Sequence, residues 1–257
     1  MTIPIEIGID DRNSLIPLFK ECQYDRVLID SVLEGKIGKA YADSVSQPRV
    51  ARLDSGSFTM LAGNSAVPGT IDLIQCAPIT YVTPQTNAWR DLLQGEFGSR
   101  ISAMPFTDFS WRPLQPVYLA KLIGSIPSTY RLKQIDRPLA GQLPSDMGNK
   151  YFLENFHSIE DFLARGIGFC ILHQDKIVSA ATSFAQSSKA IDIEIETVPD
   201  YRRRGLGTIV GAKLVSHCLE QGIEPRWLAA NPISEKLALK LGYTQGETYL
   251  TYEIKPL

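Results

Sequence analysis

A chain of 257 residues with 44% apolar and 21% charged residues has the balance of a folded protein of one large or two small domains, which excludes a disordered or fibrous chain. Its formal charge of −2 lacks the basic excess of a general nucleic-acid binder, so no nucleic-acid partner is expected. Four scattered cysteines and three scattered histidines without metal-ligand spacing, and no run near the ~18 apolar residues of a membrane span, lead us to expect a cytoplasmic chain with reduced thiols, no metal and no membrane partner.

In chain order, residues 11–34 have apolar positions at helical spacing behind an acidic start. Segments 57–63 (SFTMLAG) and 70–76 (TIDLIQC) read as short strands around a turn made by Gly63, Asn64, Pro68 and Gly69. Residues 87–97 read as a helix capped by Asn87, 117–126 as another helix, and 130–136 as a strand. Pro138, Gly141, Pro144 and Gly148 crowd residues 137–150, where an interdomain boundary is expected. This predicts an N-terminal α/β module over 1–137 and a second domain over 138–257.

The second half is more regular. Ser158 opens a short helix ended by Gly166, and 168–173 and 176–184 form a hairpin around Gln174-Asp175. Residues 190–198 (AIDIEIETV) alternate without a break, with Ile191, Ile193 and Ile195 on one face and Asp192, Glu194 and Glu196 on the other. Pro199 stops that strand. Leu206, Ile209, Val210, Leu214 and Cys218 then recur at helical spacing up to Gly222. A strand over 226–230, a helix over 232–242 and a strand over 248–254 close the pattern.

The stretch RRRGLG, residues 202–207, lies between a strand and a helix. A helix start leaves N–H groups unpaired and carries partial positive charge. Glycine admits a bulky anion close to the backbone. The chain has no GxxxxGK[ST] phosphate loop, and Val210 stands where GxGxxG needs its third glycine. Taken alone, the stretch reads equally as an anion cradle or as the plain start of a surface helix.

Arg202-x-x-Gly205-x-Gly207, preceded by Pro199-Asp200-Tyr201, resembles the [Q/R]xxGx[G/A] loop of the GNAT N-acetyltransferases. The run Asn231 to Tyr243, an Asn before a helix ending in Leu-Gly-aromatic, resembles the second motif of that superfamily. The segments GIGFCIL, IEIET and HCLEQGIEP narrow the likeness to the GNAT subfamily that includes the zwittermicin A self-resistance acetyltransferase. It is strong over 151–254 and weaker over 78–136. The resemblance implies an α/β (α+β) GNAT fold: a mixed, mostly antiparallel splayed sheet flanked by helices, preceded by a divergent, partly GNAT-like N-terminal module. It implies acetyl-CoA (coenzyme A) as cofactor. Strand 190–198 would part from its neighbour at its C-terminal end, and backbone groups of Thr197 and Val198 would pair with the pantetheine arm. Arg202 begins the loop, and the N–H groups of Arg203, Arg204, Gly205, Leu206, Gly207 and Thr208 would hold the pyrophosphate. Asn231 and Ser234 would lie on the cofactor's far side.

Acetyl transfer to an amine needs a neutral nitrogen, so a base must take a proton. Glu196 and Glu194 are the candidates nearest the loop; the other reading of this face is solvated charge, or a rim that attracts a cationic acceptor. An amide near Val198 is the expected oxyanion donor. The tyrosine that protonates the leaving thiolate in this superfamily is replaced by Ala238, which leaves Tyr243, Tyr249 or water, with Tyr243 expected in the core. His173 is expected in solvent. The expected activity is N-acetylation of a small-molecule amine, an aminopolyol or other amine antibiotic by resemblance, by a monomer or homodimer. The alternatives are a CoA-binding sensor or interaction protein that has lost catalysis, and a protein or peptide N-acetyltransferase.

Overall fold

The computed structural model describes residues 4–76 and 79–255. The first residues of the N-terminal stretch and residue 78, where the weaker likeness begins, lie outside these. The chain forms two compact units, Met1–Phe106 with Tyr249–Leu257, and Thr107–Thr248. Among the described residues no helix is long and apolar enough to cross a membrane.

The first unit contains β1 (Ile5–Glu6), α1 (Ile16–Phe19), α2 (Arg26–Leu33), β2 (Lys39–Ala42), β3 (Val50–Ser55), β4 (Phe58–Gly63), α3 (Thr70–Gln75), β5 (Tyr81–Thr83), α4 (Asn87–Phe97) and the start of β6 (Ile101–Ser110). Strands β1 to β4 pair antiparallel in sequence order, and β4 pairs parallel with β5. Residues Tyr252 and Glu253, from the C-terminal end of the chain, pair antiparallel with β5. Segment 70–76 is a helix where a strand was expected. Thr70, Leu73 and Ile74 are its buried residues, and their spacing of three and four is a helical stripe. The expected helix over 11–34 is interrupted. Its first part is a 3₁₀ helix, Pro17 opens α1, and Asp25 turns the chain at φ 54° before α2. The cap of α4 is Thr86, whose Oγ1 accepts from Trp89 N (3.3 Å), one residue ahead of the expected Asn87.

Asp25 is 4% exposed, its Oδ2 has no hydrogen-bond partner, and burial pushes its carboxyl up to about 6. The Thr83 and Tyr249 hydroxyls partly offset that shift. A folded-state value above the unfolded one means that the carboxyl is compatible with folding in its protonated form. That contribution is complete below about pH 4 and is lost as pH rises through about 6. Asn tolerates the left-handed backbone and carries no charge. Asp25→Asn should therefore stabilise the protein at pH 8 by on the order of 2 kcal/mol, with the gain vanishing below about pH 4.5, as read from urea midpoints across pH.

The second unit continues from β6 through α5 (Pro116–Ile123), β7 (Arg131–Gln134), α6 (Arg137–Met147), α7 (Ile159–Arg165), β8 (Gly168–His173), β9 (Lys176–Gln186), β10 (Ala190–Thr197), α8 (Leu206–Glu220), β11 (Glu224–Ala229), α9 (Pro232–Leu241) and the start of β12 (Thr244–Ile254). Its strand order is β6-β11-β10-β9-β8-β7. Among these described strand pairs only β10 and β11 run parallel, joined by the crossover helix α8. Alternate residues of β8 serve two cores. Phe169 and Ile171 pack with Leu206, Ile209, Val210 and Leu214 of α8. Cys170 and Leu172 pack with Leu139, Leu143 and Phe162 of α6 and α7. Helices thus cover both faces of a mostly antiparallel sheet.

Segment 137–150, expected as an interdomain boundary, is largely α6 and lies inside the second unit. Asp136 Oδ1 caps the helix by accepting from Leu139 N (3.1 Å). Pro138 sits in the first turn, where its missing N–H costs nothing. Leu139, Ala140, Leu143 and Met147 form the buried stripe that overrides Pro144 within the helix.

Candidate functional site

Strand β10 is held on one edge and open on the other. Its pairing with β9 runs through Thr197↔Ser179. Its parallel pairing with β11 ends at Asp192↔Arg226, and a register shift falls between Asp192 and Ile193. The two strands therefore part over the second half of β10, as the resemblance implies. Backbone groups alternate between the edges of a strand. Val198 N–H donates to Val178 O (3.0 Å) and Val198 O accepts from Tyr201 N (2.9 Å). Thr197 O accepts from Arg202 Nε (3.0 Å). The Val198 backbone, expected to meet the pantetheine arm and to supply the oxyanion donor, is thus engaged within the protein, because its amide falls on the edge that faces β9.

The loop that follows has two residues with left-handed backbone, Arg203 at φ 62° and Gly205 at φ 80°. The first bond of α8 is Ile209 N to Gly205 O (3.1 Å). Among the described residues, no acceptor pairs with the N–H groups of Arg203 through Thr208. Gly207 serves a different purpose from Gly205. A Cβ built on it would lie 3.3 Å from Thr197 Oγ1, so its lack of a side chain lets the helix start against the end of β10. The three arginines diverge. Arg202 reaches back to Glu196 Oε1 (3.3 Å) and to Thr197 O. Arg204 donates to Tyr130 Oη (3.2 Å) and Asp200 O (2.9 Å) and lies over the Tyr201 ring. The exposed Arg203 side chain has no such partner among the described residues. The unpaired amides and the exposed Arg203 guanidinium place positive charge at the start of α8, which suits an anion.

On the face of β10 opposite Ile193 and Ile195, Glu194 and Glu196 are both half-buried, and Asp192 is 8% exposed. Asn149, between α6 and the following 3₁₀ turn, joins the two glutamates. Its Nδ2 donates to Glu194 Oε1 (2.9 Å) and to Glu196 Oε2 (2.8 Å). Its Oδ1 accepts from Tyr151 N (2.8 Å). Burial pushes the Glu194 carboxyl up to about 7; the Asn149 hydrogen bond works against that shift, and the Glu196 and Glu154 charges add to it. Sequence reading named both glutamates and missed Asn149. It lies 45 and 47 residues from them, and no spacing rule joins such positions.

Other expected residues have structural partners. Asn231 caps α9, its Oδ1 accepting from Ile233 N and Ser234 N (both 3.0 Å). Ser234 Oγ accepts from Trp227 Nε1 (3.0 Å). Ala238 is fully buried. Tyr243 Oη donates to Pro225 O (2.9 Å), and burial holds its hydroxyl well above the usual tyrosine range, which makes it the core aromatic expected. Tyr249 belongs to the first unit, stacked on Tyr24 with ring centroids 4.0 Å apart. His173, expected in solvent, pairs through Nδ1 with Tyr201 Oη (3.0 Å). It thereby ties the β8–β9 hairpin to the segment leading into the arginine–glycine loop.

The geometry agrees with the comparisons. The family model described as GNAT acetyltransferase matches residues 16–252. The chain is 26% identical over 265 residues to the uncharacterized N-acetyltransferase YdfB of Bacillus subtilis (strain 168), covering 98% of this chain and 99% of that protein. It is similar to the crystal structure of a GCN5-related N-acetyltransferase-like protein from Streptococcus suis 89/1591, at 30% identity and a TM-score of 0.85, over 96% of this chain and 100% of that one. A tandem GNAT protein from the clavulanic acid biosynthesis pathway shares the fold at 13% identity and a TM-score of 0.61, over 99% and 98% of the two chains. With a family model spanning nearly the whole chain and a parted β10–β11 pair leading into an arginine–glycine helix start, this chain belongs to the GNAT acetyltransferase family and is an N-acetyltransferase.

Proposed function

We propose that the second unit moves an acetyl group from acetyl-CoA directly to the amine of a small cationic molecule, with the Glu194–Glu196 pair as the base. The observation that carries this reading is a pair of half-buried carboxylates, Glu194 and Glu196, bridged by one amide on the half of β10 that has parted from β11, with burial pushing the Glu194 carboxyl up to about 7. Such a group changes protonation at the pH where a base must work. Acetyl-CoA, when bound, supplies the activated acetyl thioester. The residues present fit it. The unpaired amides of Leu206, Gly207 and Thr208, with Arg203, suit its pyrophosphate, and the edge of β10 that β11 leaves beyond Asp192 suits an extended arm added in the manner of a strand. Asn231 and Ser234 serve it through the placement of α9. The carboxylate of Glu194 accepts the proton of the acceptor's ammonium and leaves the neutral nitrogen as nucleophile. The acidic face favours a cationic acceptor by charge.

An aminopolyol or other amine antibiotic is the finer form of the reading, and it rests on the likeness to the zwittermicin A self-resistance subfamily. The setting proposed with it is cytoplasmic, consistent with four free cysteines among the described residues. The first unit is read as a divergent GNAT-like half. Its β4–α3–β5 crossover, with parallel β4 and β5, parallels β10–α8–β11, but Gly63 to Gly69 carries no arginine–glycine loop.

The buried Ala238 and the engaged Tyr243 favour one competing reading, a CoA-binding protein without catalysis. Release of free thiol from acetyl-CoA across a panel of amines, including aminopolyols, polyamines and peptides, separates the readings. Thiol release above background is expected with at least one small amine. Binding of CoA with no release by any amine overturns it in favour of the sensor, and release with peptides alone moves the acceptor class.

A further inference from the structure

We infer that Asn149 is a positioning residue of the acetyl-transfer site: its side-chain amide bridges the two strand carboxylates and holds them in one geometry, and Glu194, the one that Arg202 does not reach, is the member that takes the proton. The inference rests on the reading of this pair as the base and says which of the two acts.

Asn149 Nδ2 has two hydrogens, and both are committed, one to Glu194 Oε1 (2.9 Å) and one to Glu196 Oε2 (2.8 Å). The rotation that would exchange nitrogen and oxygen is blocked. Oδ1 accepts from Tyr151 N (2.8 Å), and a flipped amide would point a donor at that donor and an acceptor at two acceptors. The chain enforces this position. Gly148 ends α6 at φ 66°, and Asn149 opens the next 3₁₀ turn by the same bond to Tyr151.

The two carboxylates are then unequal. Glu196 has a second donor, Arg202 Nη2 at 3.3 Å. Among the described residues, no cation pairs with Glu194. The charged groups bearing on Glu194 are Glu196 on its own strand and Glu154 from the segment after the 3₁₀ turn; Glu154 is itself paired with Lys150 (2.9 Å). Across the strand pair, its register partner is the uncharged Thr182. Burial and two like charges push the Glu194 proton toward retention, and the Asn149 hydrogen bond opposes them. Asn149 thus keeps Glu194 able to release and regain a proton near neutrality. Without it, Glu194 would hold its proton to a higher pH.

The test titrates the cofactor-free protein labelled with ¹³C at the glutamate carboxyls, with the Glu194 resonance assigned by its absence in Glu194→Gln. The wild-type midpoint is expected near neutrality. Asn149→Ala should raise it by about one pH unit, the loss of one hydrogen bond to a charged group. Asn149→Asp keeps the shape and the acceptor for Tyr151 N but replaces the donor with negative charge, and should raise it further. Far-UV circular dichroism and melting temperature show that each variant is folded, and Asn149→Asp stands in if Asn149→Ala is not. In folded active variants, the acid limb of kcat/KM should move up by the same amount, which a purely structural role would not produce. Unchanged Glu194 midpoints in the folded variants, or a near-neutral titration that belongs to Glu196, overturn the inference. The NMR readout needs neither cofactor nor acceptor. Absence of thiol release would therefore sink the enzymatic reading while leaving the asymmetry of the pair to stand or fall by the titration.

Discussion

Glu194→Gln is expected to lower kcat/KM for amine acetylation by about 10²- to 10⁴-fold near pH 7, the range for loss of a positioned general base. The sign of the pH dependence follows from the raised carboxyl. Wild-type kcat/KM should climb as pH rises through about 7, because only the carboxylate can take the proton. The variant lacks that limb. Its residual rate depends on acceptor molecules already deprotonated in solution, so the deficit shrinks as pH approaches the acceptor's own pKa. Glu196→Gln should cost less, since it removes a neighbour of the proposed base rather than the base itself, and losing a charge that pushes the Glu194 carboxyl up should lower the Glu194 midpoint. Steady-state thiol release over pH 6–10, on the order of half-unit steps, measures both. Parallel profiles for wild type and Glu194→Gln would remove Glu194 from the base role.

Gly207→Val is the second large effect. The new Cβ would lie 3.3 Å from Thr197 Oγ1 and 3.7 Å from Leu237 Cδ2, and the branched methyls would reach further. Thr197 cannot readily move aside, because its hydroxyl pairs with Ser179 Oγ at 2.8 Å. The start of α8 must move instead, and with it the unpaired amides of Leu206, Gly207 and Thr208. Overpacking of this kind costs about 1–3 kcal/mol of stability. The displaced amides should weaken CoA binding by about tenfold or more, as expected for loss of a charge-assisted hydrogen bond. Gly211→Ala is the control. Its Cβ would meet the ends of Ile195 (3.1 Å) and Leu241 (3.3 Å), one turn deeper in the helix. It should lose stability and keep cofactor affinity. Calorimetric titration with CoA beside thermal melts separates the outcomes; equal affinities for wild type and Gly207→Val would show that these amides do not hold the diphosphate.

The second half of the chain was largely legible because its elements are long and periodic. The alternation in 190–198 and the helical stripe from Leu206 to Cys218 each have a single geometric solution, and the acidic and apolar faces of β10 fell where the pattern put them. The first half misled where segments were short. TIDLIQC carries too few turns for its period to be told from a strand by residue type alone. Prolines and glycines in 137–150 suggested a break, although the stripe from Leu139 to Met147 was already there to be packed.

For the candidate site, the residues alone named the loop, its glycines and the two glutamates, since each reading depends on neighbours within a few positions. Tertiary structure decided what those groups can do. It engaged both backbone groups of Val198, since strand alternation turns its amide toward β9, and it turned Asn231 and Ser234 to holding α9 and Trp227. It also brought Asn149 from the end of α6 to bridge Glu194 and Glu196. Local order fixes which face a side chain takes. Protonation and pairing depend on burial and on partners distant in sequence, and these exist only once the sheet and its covering helices have packed.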